Sequence, residues 1–134
     1  MSGITFSKIN LANLIDHHIA LLERFGLQDE SPFSLIFFSL EDKTEIDSLE
    51  IFQRILRKTD ALFNHLNHYV VMLTGTDWNG ATELLAGIQE FLDQEAQDNI
   101  VTYPDDGNNS EMLINKLREI VEDNASITSE LLLM

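Results

Sequence analysis

The chain contains no cysteine. Disulfides, thiolate metal sites and cysteine nucleophiles are therefore excluded, and the composition fits a reducing compartment. Basic residues are scarce: 8 Lys and Arg stand against 23 Asp and Glu, a formal net charge of −15. A surface of that sign repels phosphate backbones and anionic lipid, which argues against a general nucleic-acid or membrane-surface role. No apolar run exceeds a few residues, far short of the roughly 20 that a membrane-spanning helix needs. The start, Met1-Ser2-Gly3-Ile4, lacks a charged segment followed by an apolar stretch. No signal peptide is expected, and a soluble cytoplasmic protein is the plain inference. There is no internal repeat, no low-complexity stretch and no sign of a second domain.

What is present is ordinary globular material. The 134 residues are 44% apolar and 23% charged, enough for one hydrophobic core. Over 10–25 the apolar positions Leu11, Leu14, Ile15, Ile19, Leu22 and Phe25 recur at helical spacing, and Gly26 stands where a C-cap glycine would. A polar connection at 28–31 leads to a β-prone run at 33–40, of the kind buried on both faces and introduced by Pro32. Thr44 and Asp47 mark a helix start, with Leu49, Phe52, Ile55 and Leu56 on one side. Two strands follow at 61–67 and 68–73, joined closely enough for a hairpin. Ala81, Leu84, Leu85, Ile88, Phe91 and Leu92 form an amphipathic helix that Thr76 or Asp77 is placed to cap. A short strand at 99–103 meets a turn at Pro104-Asp105-Asp106-Gly107. A last helix starts near Asn109 or Ser110 and turns Leu113, Leu117, Ile120 and Val121 inward. The end, 126–134, contains Leu131-Leu132-Leu133-Met134 and reads as a frayed tail or a docking segment.

With the first and last helices set aside, the order is strand, helix, strand, strand, helix, strand. That is the split βαβ plan of the ferredoxin-like fold, an antiparallel sheet with helices packed on one face. The expectation is an α/β (α+β sandwich) chain: a ferredoxin-like βαββαβ core, mostly antiparallel, with an added N-terminal helix and a C-terminal helix. One domain spans 1–134, its core about 9–122 and its tail 123–134.

Four short matches, in order, carry a family resemblance. They are Pro32-Phe33-Ser34-Leu35-Ile36-Phe37-Phe38; Arg57-Lys58-Thr59-Asp60; Val70-Val71-Met72-Leu73-Thr74-Gly75-Thr76-Asp77 followed by Ala81; and Tyr103-Pro104-Asp105-Asp106-Gly107 followed by Glu111-Met112-Leu113. Together they resemble the first strand, Arg-x-x-Asp motif, post-hairpin strand and late Tyr-Pro-x-Asp-Gly turn of the GGDEF domain of diguanylate cyclases. The resemblance implies a fold built on the same plan. It also shows what has been replaced. The family holds Mg²⁺ with an Asp at the end of the first strand and an acidic residue of the hairpin, because that ion demands hard carboxylate oxygens in near-octahedral array. Here the strand end is Ser39, with Glu41 two residues on, and the hairpin reads His65-Leu66-Asn67-His68-Tyr69 in place of Gly-Gly-Asp-Glu-Phe. Only fifteen residues separate Glu41 from Arg57, too few for the helical segment that contacts guanine in the family. The chain is also one residue short between Arg57 and the hairpin. A degenerate domain is expected, with no catalytic residues, no metal and no cofactor.

The candidate ligand-binding residues are Arg57 and Asp60. In the resembling family this motif binds the product, cyclic di-GMP, through Arg on phosphate or guanine and Asp on guanine. Arg54 and Lys58 add positive charge nearby. The structural alternative is a cation at a helix C-terminus and an Asp that caps the turn into the next strand. His65 and His68 lie three apart on the hairpin without an evident third ligand, so solvated histidines are expected there. Of the adjacent His17 and His18, the second falls on the apolar stripe and is expected to be packed and hydrogen-bonded. Asp105, Asp106, Asn108 and Asn109 lack the register of a calcium loop and read as a turn with a helix cap. Trp78 and Asn79 read as surface and packing residues. The expected function is non-catalytic signalling through an unidentified protein partner, with cyclic di-GMP sensing as the alternative.

Overall fold

The run Phe33-Ser34-Leu35-Ile36-Phe37-Phe38 places apolar side chains on both sides of a pleat, so it requires cover above and below. A computed structural model describes residues 4–7, 10–39, 56–65, 68–91, 98–125 and 132, with the backbone alone for 4–7, 65, 91 and 125. The elements are β1 (Ile4–Ser7), α1 (Leu11–Arg24), β2 (Phe33–Ser39), β3 (Ala61–His65), β4 (His68–Thr74), α2 (Trp78–Phe91), β5 (Ile100–Tyr103) and α3 (Ser110–Ala125). The helix expected from Thr44 onward lies outside the described residues, apart from Leu56.

The sheet runs β1-β3-β4-β2-β5. Pairings β3–β4, β4–β2 and β2–β5 are antiparallel, which is the strand arrangement of a ferredoxin-like core. β1 adds a fifth strand, parallel to β3 with Ile4 opposite Ala61. This strand was not anticipated. Four residues of Ile-Thr-Phe-Ser carry little signal by themselves, and their pairing partner is far along the chain.

Period-two alternation divides the core into two clusters. Phe33, Leu35 and Phe37 of β2 join Ala61, Phe63, Val70, Met72, Val101 and Tyr103 beneath Leu11, Ile15, Ile19 and Leu22 of α1 and Leu113, Ile114, Leu117 and Val121 of α3. Ile36 and Phe38 join Leu62, Tyr69, Val71, Leu73 and Ile100 beneath Leu56 and Ala81, Leu85 and Ile88 of α2. Helices therefore cover both faces, a correction to the one-face plan: the two added helices occupy the side that a bare ferredoxin-like sheet leaves open. Each fully buried Leu or Phe contributes about 1.5–3 kcal/mol of transfer free energy. Leu132 is buried in the first cluster, and its carbonyl accepts from Arg118 Nη1 at 3.2 Å. At this residue the C-terminal end is docked.

The helix ends follow local chemistry. Gly26 has φ of 64°, Leu27 N–H donates to Leu22 O at 2.8 Å and Gly26 N–H to Glu23 O at 3.2 Å, which closes α1 in a Schellman turn. Asp77 caps α2 by accepting from Gly80 N–H at 2.9 Å, and Asn109 caps α3 by accepting from Met112 N–H at 2.9 Å. Asp16 of α1 adds a tertiary cap, accepting from Ser110 N–H at 2.9 Å and Ser110 Oγ at 2.8 Å. Among the described residues no helix is long and apolar enough to cross a membrane.

Candidate functional site

The Arg57–Asp60 motif forms a turn that feeds β3. Asp60 N–H donates to Arg57 O at 2.9 Å, and Arg57 N–H donates to Asp60 Oδ2 at 2.9 Å, so the acid caps the turn it belongs to. Arg57 then folds back onto the same carboxylate, Nε to Oδ2 at 3.1 Å and Nη2 to Oδ1 at 2.9 Å. Thr74 N–H, at the end of β4, donates to Oδ1 at 3.2 Å. The two carboxylate oxygens thus accept four hydrogen bonds, about the full acceptor capacity of the group. The Asp60 side chain is 2% exposed and that of Arg57 is 55% exposed.

The guanidinium carries the clamp further. Arg57 Nη2 also contacts Thr74 O and lies 3.0 Å from Thr76 Oγ1, while Thr74 Oγ1 donates to Thr59 O at 3.3 Å. Gly75, with φ of 61°, turns the chain between these two threonines. Ser34 Oγ donates to Thr76 O at 2.8 Å and lies 2.9 Å from Thr102 Oγ1, so the clamp reaches β2 and β5. The arrangement ties the ends of four strands to the entry of α2. Arg57 and Asp60 are thus brought together, as the motif requires, but they spend their donors and acceptors on each other and on the chain. The guanidinium lies on an exposed side chain. Lys58 and Thr59 are exposed beside it; Arg54 lies outside the described residues.

The corner formed by the end of β2 and the β3–β4 hairpin, where the resemblance would set a metal, lies at the other end of the strands. β2 ends on half-buried Ser39, opposite His68 of β4, and His68 is in turn opposite His65. The His68 ring packs against Phe37 with centroids 5.5 Å apart. Glu41, Leu66 and Asn67 lie outside the described residues. Among the described residues no three His, Asp or Glu side chains gather in a metal-binding group.

The Pro104–Gly107 turn is accounted for without a ligand. Asp106 Oδ2 accepts from Thr102 N–H at 2.8 Å, Asp106 N–H donates to Thr102 O at 2.8 Å, and Lys116 Nζ lies 3.3 Å from Asp106 Oδ1. This closes the outer edge of β5 by local bonds. Trp78 is exposed at the start of α2. His18 is packed as expected, but among the described residues its buried Nε2 has no hydrogen-bond partner, so the expected bond is not made at that nitrogen. Burial, and secondarily His17, lowers its pKa from the usual 6.5. Burial raises the pKa of Tyr103, with Glu23 and Asp29 adding to the effect. Sequence reasoning missed the Asp16–Ser110 cap and the Ser34–Thr76–Thr102 contacts, which join residues far apart in the chain and leave no local signal.

No protein-family model matches the chain, and no curated protein matches it.

Proposed function

We propose that this chain is a degenerate GGDEF-like signalling module, non-catalytic, that works by binding another protein. The observation that carries the reading is the β2–hairpin corner: Ser39 stands opposite His68, and the described parts of β2, β3 and β4 contain no Asp or Glu. A divalent ion that bridges a triphosphate needs carboxylate oxygens at such a corner, and a hydroxyl beside an imidazole is a poor substitute. The ferredoxin-like core is retained around it, so what persists is a scaffold. A net charge of −15 favours a partner with a basic or neutral face over nucleic acid or membrane. The cysteine-free sequence suits a cytoplasmic setting.

The test has two parts. Purified chain incubated with GTP or ATP and Mg²⁺ or Mn²⁺ gives no turnover, and a protein captured from the native cell, then purified, binds saturably in titration. Nucleotide turnover would overturn the reading. The alternative is cyclic di-GMP sensing through Arg57 and Asp60, and the exposed guanidinium favours it. Asp60 would have to exchange internal bonds for ligand bonds. Calorimetric titration decides: micromolar or tighter binding, lost in Arg57→Ala, replaces the partner-binding reading with the sensor.

A further inference from the structure

α1 carries one imidazole into the apolar seam that joins it to the sheet. His18 is flanked on the helix by the buried Ile15, Ile19 and Leu22, and its ring meets Phe33 of β2 edge-on, centroids 5.2 Å apart and planes at 83°. Phe33 stacks on Tyr103 of β5 at 5.0 Å and 12°. The buried Nε2 has no hydrogen-bond partner among the described residues.

Among the described residues no acid bonds this nitrogen. β2 presents the Phe33 ring and β5, behind it, the Tyr103 phenol, which burial and the neighbouring Glu23 and Asp29 hold in its neutral form. On α1, His17 is adjacent and carries a like charge whenever it is protonated. Asp16, the nearest acid in sequence, has both oxygens engaged by Ser110 at the start of α3. A proton on the half-buried His18 would therefore bring charge against the apolar seam on the side where Nε2 has no partner among the described residues, which disfavours the protonated form.

We propose that His18 fastens α1 to the sheet through a contact that mild acid loosens, making α1 the element of this fold that responds first to a fall in pH. The direction of the effect follows from linkage. An undocked His18 takes its proton near 6.5, and the docked one only at lower pH. Docking is at full strength above about 6.5 and weakens as pH falls toward the docked-state value, by at most about tenfold per pH unit. Release of α1 uncovers Leu11, Ile15, Ile19 and Leu22 and leaves Ser110 without its Asp16 cap. The device stands on the packing of α1 and is independent of the partner proposed above.

Native-state hydrogen exchange, corrected for intrinsic rates and compared at about pH 7.5 and about pH 5.5, tests it on the full chain and on His18→Gln and His18→Leu. In the unaltered chain the opening equilibrium of α1 amides rises severalfold more on acidification than that of β2 and β4. In either variant the excess disappears. The imidazole resonances of the unaltered chain give a second readout should both variants fail to fold, with His18 titrating below 6.5. An equal rise across α1 and the sheet, an undiminished excess in a folded variant, or His18 titrating at or above 6.5 would overturn the proposal.

Discussion

Replacing Asp60 with Ala separates a structural clamp from a ligand site held ready. The substitution removes the acceptor for Arg57 N–H, Thr74 N–H, Arg57 Nε and Arg57 Nη2 together. Leaving a partly buried backbone N–H without a partner costs about 1–3 kcal/mol, and two are orphaned. The ion pair adds only about 0–1 kcal/mol, because the Arg57 side chain is 55% exposed and screened by water. Relief of the buried charge offsets part of the loss. The net expectation is a destabilisation of about 3 kcal/mol. Arg57→Ala keeps the carboxylate and both backbone bonds and is expected to cost about 1 kcal/mol. Equilibrium urea unfolding followed by circular dichroism measures both. With a slope of about 2 kcal/mol per M, Asp60→Ala lowers the midpoint by about 1.5 M and Arg57→Ala by about 0.5 M. An Asp60→Ala protein within about 0.5 kcal/mol of the parent would refute the clamp. Equal losses in the two variants would refute the claim that the backbone bonds dominate.

Leu85→Ala empties a site in the α2-facing cluster, where Leu85 is buried, and is expected to cost about 3 kcal/mol in the same urea assay. Gly26→Ala forces a side chain into a left-handed backbone at φ of 64°; with open space around the new Cβ, the cost is the backbone strain alone, about 1 kcal/mol. Tyr103 has a pKa raised by burial and then by Glu23 and Asp29, so its neutral form favours the fold. Its contribution is whole below the unfolded value of about 10 and is lost as pH rises from there through the folded-state value. Thermal melts between about pH 9 and about pH 11 are expected to show a steeper alkaline loss in the parent than in Tyr103→Phe; parallel curves would contradict the assignment.

Much of the architecture was written in local patterns. Alternate positions of 33–38 announced a strand covered on both sides, and β2 is buried on both sides. The spacing of Leu11, Ile15, Ile19 and Leu22 with Gly26 beyond announced α1 and the form of its end. The caps of α2 and α3 were legible to within one residue, as Thr76 or Asp77 and as Asn109 or Ser110, because a cap and the N–H it satisfies lie three residues apart; Asp77 and Asn109 take the positions. The Asp60 turn cap, offered as the structural alternative, was legible for the same reason. The wider clamp was not, since the sequence is silent on Thr74 and Thr76 reaching the Asp60 and Arg57 side chains.

The sequence by itself determined β2 to β5, α1 to α3 and the local caps at their ends, because periods of 2.0 and 3.6 and short-range hydrogen bonds are properties of neighbouring residues. Tertiary structure decided the parallel addition of β1, the second helical layer, the seating of Leu132 and the grip of Asp16 on Ser110, 94 residues away. It also decided that Asp60 is saturated and that His18 Nε2 is not. Hydrogen-bond satisfaction of a buried group depends on what distant segments bring to it, and no window of sequence contains that information.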